Sequence, residues 1–362
     1  MRVLHVEAGR HLYGGARQVL YLLEGLQQRG VENCLACPPD AALAEPARQF
    51  VTDVIPMPMG DASLALPGRL MATIRRHRPD LVHLHSRRGA DLWGGLAARR
   101  TGVPVVLSRR VDNPEFRPWV ALKYRLYDRV ITISEAIRQL LIEEGVAPWR
   151  VVCVRSAVKA AAPQMPGDPR PFTTAFGIPE DALVVGMVAQ LIERKGHRLL
   201  LAALPTLLTR FPRLRVVCFG QGPLRKTLER ETTRQGLASV VHWAGFRPDL
   251  ATFLPALDLL VHPAWREGLG IALLQAAAAG VPIIASRAGG MPEAVREGEN
   301  GLLIPAGDVA ALGAAMGALL ADQALRRRLG NRGRQIIERE FSVDRMVEGN
   351  LAVYRALLAS NP

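Results

Sequence analysis

Residues Ala264–Ser286 read AWREGLGIALLQAAAAGVPIIAS, and their order decides the architecture. A strand ends in the glycine-rich turn Glu267, Gly268, Leu269, Gly270, an apolar helix runs from Gly270 to Ala279, Gly280 stops it, and VPIIAS is a buried strand. Glycine at a helix end supplies a left-handed stop that other residues resist. Strand, helix and strand at this spacing make a parallel sheet with crossover helices. The turn leaves backbone amides open to a diphosphate at the positive end of the helix dipole, an effect worth roughly 0.3–1 kcal/mol when exposed and more when buried. Gln275 is the one polar side chain in IALLQAAAA. An unpaired polar group in such a setting costs on the order of 1–3 kcal/mol, so a buried backbone group or a ligand is expected to meet it.

The same pattern extends on both sides. LVVGMVAQL, RLRVVCFG, VVHWAG, LDLLVHP and NGLLIP read as further strands, with a helix over His197–Arg210. Upstream of the Pro, Ala and Gly-rich stretch Val158–Pro171, a second series runs RVLHVEAG, VENCLACP, DLVHLHS, VPVVLSR and RVITIS, interleaved with helical runs. The expected fold is α/β: two Rossmann-like parallel-sheet domains, residues 1–163 and 172–340, facing each other across a cleft at the carboxyl ends of their strands. A last helix, about residues 343–362, is expected to pack back on the first domain.

A length of 362 residues suits two cores better than one. The formal charge is +13, and residues 1–165 hold 23 Lys and Arg against 15 Asp and Glu, so more than half of the excess lies in the first half. An anionic ligand or surface is expected to meet that half. Cys34, Cys37, Cys153 and Cys218 form no disulfide or metal framework by spacing, and Cys34-x-x-Cys37 reads as structural. No apolar run approaches the roughly 18 residues that span a bilayer. The N-terminus runs directly into a strand. The expected location is the cytoplasm, with peripheral attachment to the inner face of the cytoplasmic membrane.

With these motifs in place, the chain resembles the large family 4 of retaining glycosyltransferases, which have the GT-B fold. Its signature is Glu, seven residues, Glu in a strand, turn and helix context. Glu267 matches the first Glu, and Gln275 stands at the second. The resemblance implies that Glu267 and Lys195 are catalytic: Glu267 holds hydroxyls of the transferred sugar, and Lys195, in the Lys-Gly pair before a helix, neutralises the donor diphosphate. It implies a donor site made of Gly14, Gly15, Gln190, Arg194, Gly222, Phe246, Arg247, Gly268, Leu269, Gly270, Ile271 and Gln275. Gln275 would meet the ribose without the charge-assisted bond a Glu supplies. Gln190 stands where the family carries Arg; Arg194 either supplies that charge or faces solvent. FGQGPL, WAGFRPD and SRAGGMPEAVREGENGLLIP also fit the family, with Glu293 either capping a helix or binding ligand.

In the first half, His85, Arg87, Arg88, Arg109 and Arg110 fall at strand ends and read as an acceptor site for an anionic molecule, or else as a solvated basic rim. His83 and His85 alternate on a strand with no third ligand in view, so no metal is expected there, and one of the two is expected in the core. The chain contains no Asp-x-Asp. No cofactor and no metal are therefore expected. The expected activity is metal-independent, retaining transfer of a sugar from a nucleotide diphosphate donor to an anionic glycan or lipid-linked acceptor in envelope polysaccharide or lipopolysaccharide assembly. The alternatives are a nucleotide-sugar epimerase or hydrolase on the same fold, and a non-enzymatic basic protein binding nucleic acid or a membrane surface. Few aromatic residues and no recognised nucleic-acid module weigh against a nucleic-acid partner.

Overall fold

The computed structural model describes residues 1–60, 63–85, 89–159 and 168–359. The chain divides into two compact units: Met1–Ala157 together with the chain from Val343 onward, and Val158–Ser342.

The first unit is built on strands β1 (Arg2–Val6), β2 (Glu32–Cys37), β3 (Asp53–Pro56), β4 (Leu81–Leu84), β5 (Val105–Arg109), β6 (Arg129–Thr132) and β7 (Val151–Cys153). They pair in the order β3-β2-β1-β4-β5-β6-β7, all parallel. Successive strand residues point to opposite faces, and both faces are covered, so the strands are almost continuously apolar. Leu4, Val6, Val82 and Leu84 pack with Leu70, Ile74, Ala97 and Tyr127. Val3, Leu81, Val106 and Ile131 pack instead with Leu22, Leu26, Met346, Leu351 and Tyr354. The last three belong to the helix Val343–Ala359, which completes this second layer. It lies so close to the helix Gly14–Gln27 that a Cβ on Gly25 would come within 2.4 Å of Val347.

The second unit carries β8 (Leu183–Val188), β9 (Leu214–Phe219), β10 (Val241–Gly245), β11 (Leu259–His262), β12 (Ile283–Ser286) and β13 (Gly301–Ile304). Their order is β10-β9-β8-β11-β12-β13, again all parallel. Val185, Met187, Val216, Val261 and Ile284 pack against Leu200, Leu204, Leu207, Leu312 and Met316. The helix expected from Gly270 to Ala279 spans Ile271–Ala278, with Gly270 as its N-cap at φ 90°. The helix His197–Arg210 has the expected bounds.

In each sheet the chain starts in the middle, builds to one edge, then returns to the other side of its first strand. The reversal falls between β1 and β4 in one unit and between β8 and β11 in the other. Loops diverge above such a switch point, leaving a crevice beyond the strand carboxyl ends where ligands bind. His5 and His85 sit at the first switch, Gln190 and Glu267 just beyond the second. The cysteines are free; Cys34 and Cys37 lie buried in β2, where burial and the nearby Glu7 push the Cys37 thiol up to about 11. Among the described residues no single helix is long and apolar enough to cross a membrane.

Candidate active site

In the second unit, Glu267 leaves β11 five residues after His262, while Lys195 ends the short turn Glu193–Lys195 after β8. One Glu267 carboxylate oxygen accepts a hydrogen bond from Lys195 Nζ and lies 3.1 Å from His262 Nε2. The other accepts from the Gly268 amide at 3.1 Å. Lys195 and Glu267 side chains are 8% and 19% exposed, so water screens the pair poorly. Burial alone would raise the Glu267 pKa. His262 and then Lys195 outweigh it and hold the carboxyl well below the usual carboxylate range. His197, beside this group, is pushed down to about 4 by burial, with His262 and Lys195 adding to the effect. The result is an ionised carboxylate and a lysine with two further N–H donors, gathered at the start of the helix Ile271–Ala278.

Backbone packing fixes the turn. Gly290 N–H donates to the Glu267 carbonyl at 2.9 Å. A Cβ on Gly289, which has φ 54°, would stand 2.2 Å from that same carbonyl oxygen. Gly289→Ala should therefore cost about 2–4 kcal/mol, combining left-handed strain with overpacking against backbone that cannot yield. Urea unfolding checks this, and an unchanged midpoint contradicts it.

The other donor-site candidates divide by what remains available. Leu269 is fully buried. Gly268 and Gly270 are buried in the same turn, and Ile271 begins the helix half-buried. Gln275 is half-buried, and its side chain has no hydrogen-bond partner among the described residues. Gln190 is exposed and Arg194 half-buried; the Arg194 carbonyl accepts from the Trp265 amide at 2.9 Å, tying the lysine turn to the Glu267 loop. Gly222 packs against the Leu191 backbone. Phe246 is 51% exposed, and Arg247 pairs with Asp249 and lies over the Phe253 ring. Sequence reading missed His262 and His197. The signal for His262 was a histidine closing an otherwise apolar strand, LDLLVHP, immediately before the turn.

In the first unit, Gly14 and Gly15 open the helix Gly14–Gln27, with the Arg110 chain 3.7 Å from where a Gly15 Cβ would stand. Arg110 Nη2 is 3.5 Å from His85 Nδ1, His85 Nε2 is 2.9 Å from His5 Nδ1, and His5 Nε2 is 3.2 Å from Asn33 Oδ1. Asn33 donates its amide hydrogens to the Leu23 and Phe50 carbonyls, so its oxygen must face His5. That assigns the protons by elimination: His5 and His85 each carry theirs on Nε2, and His85 Nδ1 offers a lone pair to Arg110. Burial pushes His5 to about 4 and holds His83 and His85 well below the usual histidine range, so all three are neutral.

Two expectations are corrected here. His83 and His85 are both buried, because His83 is held by Tyr354 and Ser108 while His85 belongs to the relay just described. His5 also supplies the third histidine not apparent from spacing, and the three could hold a metal ion by distance. Their nitrogens are instead committed to protein partners, and the Arg110 guanidinium alongside opposes a cation. Arg109 likewise departs from the expected acceptor set. It is 2% exposed, donates to the Asn113 carbonyl and lies 3.4 Å from Glu115, so its charge is spent inside the unit. Arg87 and Arg88 lie outside the described residues.

Comparison with known proteins agrees with the fold. The chain matches the models "Glycosyltransferase Family 4" over residues 13–161 and "Glycosyl transferases group 1" over residues 172–336. It is 28% identical to the lipopolysaccharide core biosynthesis glycosyltransferase LpsE of Rhizobium meliloti, over 100% of both chains. It is 32% identical to a D-inositol 3-phosphate glycosyltransferase of Streptomyces bingchenggensis, over 77% of this chain and 67% of that one. The crystal structure of Anabaena HepE in complex with UDP-glucose shares the fold, with a TM-score of 0.86 at 21% identity over 98% of this chain and 100% of that one.

Proposed function

The chain belongs to glycosyltransferase family 4, and from that premise we propose that it moves a sugar from a nucleoside diphosphate sugar to an anionic glycan or glycolipid acceptor. The setting is envelope polysaccharide or lipopolysaccharide assembly, in keeping with LpsE. The donor class is in keeping with the UDP-glucose held by HepE. Transfer proceeds with retention at the anomeric carbon and without a metal or cofactor.

The observation that carries this reading is the ionised Glu267 paired with Lys195 at the start of the helix Ile271–Ala278. Lys195 and the first-turn amides stabilise negative charge on the departing diphosphate, a task a metal performs elsewhere. Glu267 accepts hydrogen bonds from sugar hydroxyls and keeps the reacting carbon beside that charge. The bond from the anomeric carbon to the diphosphate oxygen breaks as the acceptor oxygen bonds on the same face. The acceptor proton passes to a leaving phosphate oxygen, so no protein base is required.

Incubation with nucleotide sugars tests the reading: nucleoside diphosphate release should require an anionic saccharide or lipid acceptor. Full-rate conversion to an epimer or free sugar without acceptor would instead favour the other enzyme class. Gln275→Glu should tighten donor binding about tenfold, since a charged acceptor roughly doubles the strength of a hydrogen bond to a ribose hydroxyl. Calorimetry reads this, and equal affinities would place Gln275 away from the donor.

A further inference from the structure

The helix Arg117–Lys123 is rolled opposite to what its composition favours. Val120, Lys123 and the following Tyr124 are buried, while Phe116, Trp119 and Leu122 are 76%, 40% and 62% exposed. An interior ion network holds this roll. Lys123 Nζ lies 2.8 Å from Asp91 and 3.0 Å from Glu115, and Glu115 also accepts from the Tyr124 hydroxyl at 3.0 Å and faces Arg109. Turning the tryptophan inward would break buried charge pairs, so the apolar side stays outward.

Phe116, Trp119, Leu122 and Arg125 are all exposed, and each stands three residues from the next, the spacing at which side chains adjoin along a helix. Beside its end lies the turn Pro148–Arg150, anchored by Arg150 donating to the Tyr124 and Tyr127 carbonyls at 3.1 and 2.8 Å. There Trp149 is 61% exposed, with the Arg129 and Arg150 guanidiniums 5.3 and 4.8 Å from its ring centroid. Arg150 also feels the positive charges of Arg99, Arg125 and Arg129, opposed by Asp128. A set of exposed aromatic and leucine side chains thus borders an arginine cluster, in the half of the chain that carries most of the excess charge.

We propose that this face docks the first unit on an anionic lipid surface. Tryptophan, phenylalanine and leucine enter the boundary between headgroups and acyl chains, and the arginines meet lipid phosphates. The exposed Leu122 and Phe116 suit lipid better than nucleic acid, where successive bases need a groove of stacking rings. The proposal rests on this surface alone and not on the acceptor assignment, because vesicle binding is read without donor or acceptor.

The test is co-sedimentation of the full chain with phosphatidylglycerol-rich vesicles and with pure phosphatidylcholine vesicles, at low and high salt. Binding is expected to the anionic vesicles, weakened by salt. It should fall about tenfold or more in Trp119→Ser/Leu122→Ser and in Arg99→Glu/Arg125→Glu. The urea midpoint of the first variant should match wild type, since both side chains face water; a lower midpoint would mean they are packed and would overturn the assignment. So would absent vesicle binding, equal binding to both vesicle types, undiminished binding by the variants, or displacement from vesicles by duplex DNA.

Discussion

Glu267→Gln is expected to lower kcat for sugar transfer by about 10²–10³-fold, the usual cost of removing one preorganised group from a charge-stabilising site. The amide keeps the size of the side chain but removes the charge that orients Lys195 and His262. It also leaves Lys195 buried without its counter-ion, which should cost about 3–5 kcal/mol of stability. A paired variant separates the two effects. Adding Lys195→Met to Glu267→Gln removes the orphaned charge, so the urea midpoint should recover while transfer stays as low as in the single variant or lower. Full transfer by Glu267→Gln would remove the carboxylate from the reaction, and additive stability losses would mean the pair is not coupled.

The second large effect is loss of stability on mild acidification. His5 and His197 are held at about 4 in the folded protein, with His83 and His85 also well below the usual value. The unfolded chain takes up these protons near pH 6.5, whereas the folded chain resists them. Between the two values the unfolded state binds more protons, so stability rises with pH. It is fully present above about pH 6.5 and lost as pH falls towards about 4. A depression of about 2.5 units corresponds to about 3 kcal/mol for each of His5 and His197 by the low end of that window. Urea midpoints should drop steeply between about pH 6.5 and pH 5, before the carboxylates protonate. A flat profile over that range would contradict the buried neutral histidines.

The parts of the fold legible in the sequence were those written in short-range patterns. The glycine-bounded apolar run of Ala264–Ser286 gave a strand, helix and strand, and His197–Arg210 gave a helix with the right bounds. Lys195 and Glu267 were recognisable individually, but their contact, 72 residues apart, was not. The histidine relay was hidden for the same reason: His5 meets His85 because β1 and β4 are neighbours, which no local periodicity encodes. Arg109 illustrates the converse. Its place at a strand end suggested a cationic rim, but the following segment brings Glu115 back to it and draws the charge inside. The outward roll of Arg117–Lys123 has the same origin, since Lys123 satisfies Glu115 and Asp91 at the expense of burying Trp119.

Calorimetric titration of the full chain with UDP, GDP and ADP, in wild type and Lys195→Ala, tests the donor site most directly. At least one nucleoside diphosphate should bind wild type, and removal of the lysine should weaken it about tenfold or more, corresponding to about 1.4 kcal/mol. Binding of none of the three, or equal affinity in the variant, would contradict the assignment of the Lys195–Glu267 pair to a nucleotide diphosphate donor.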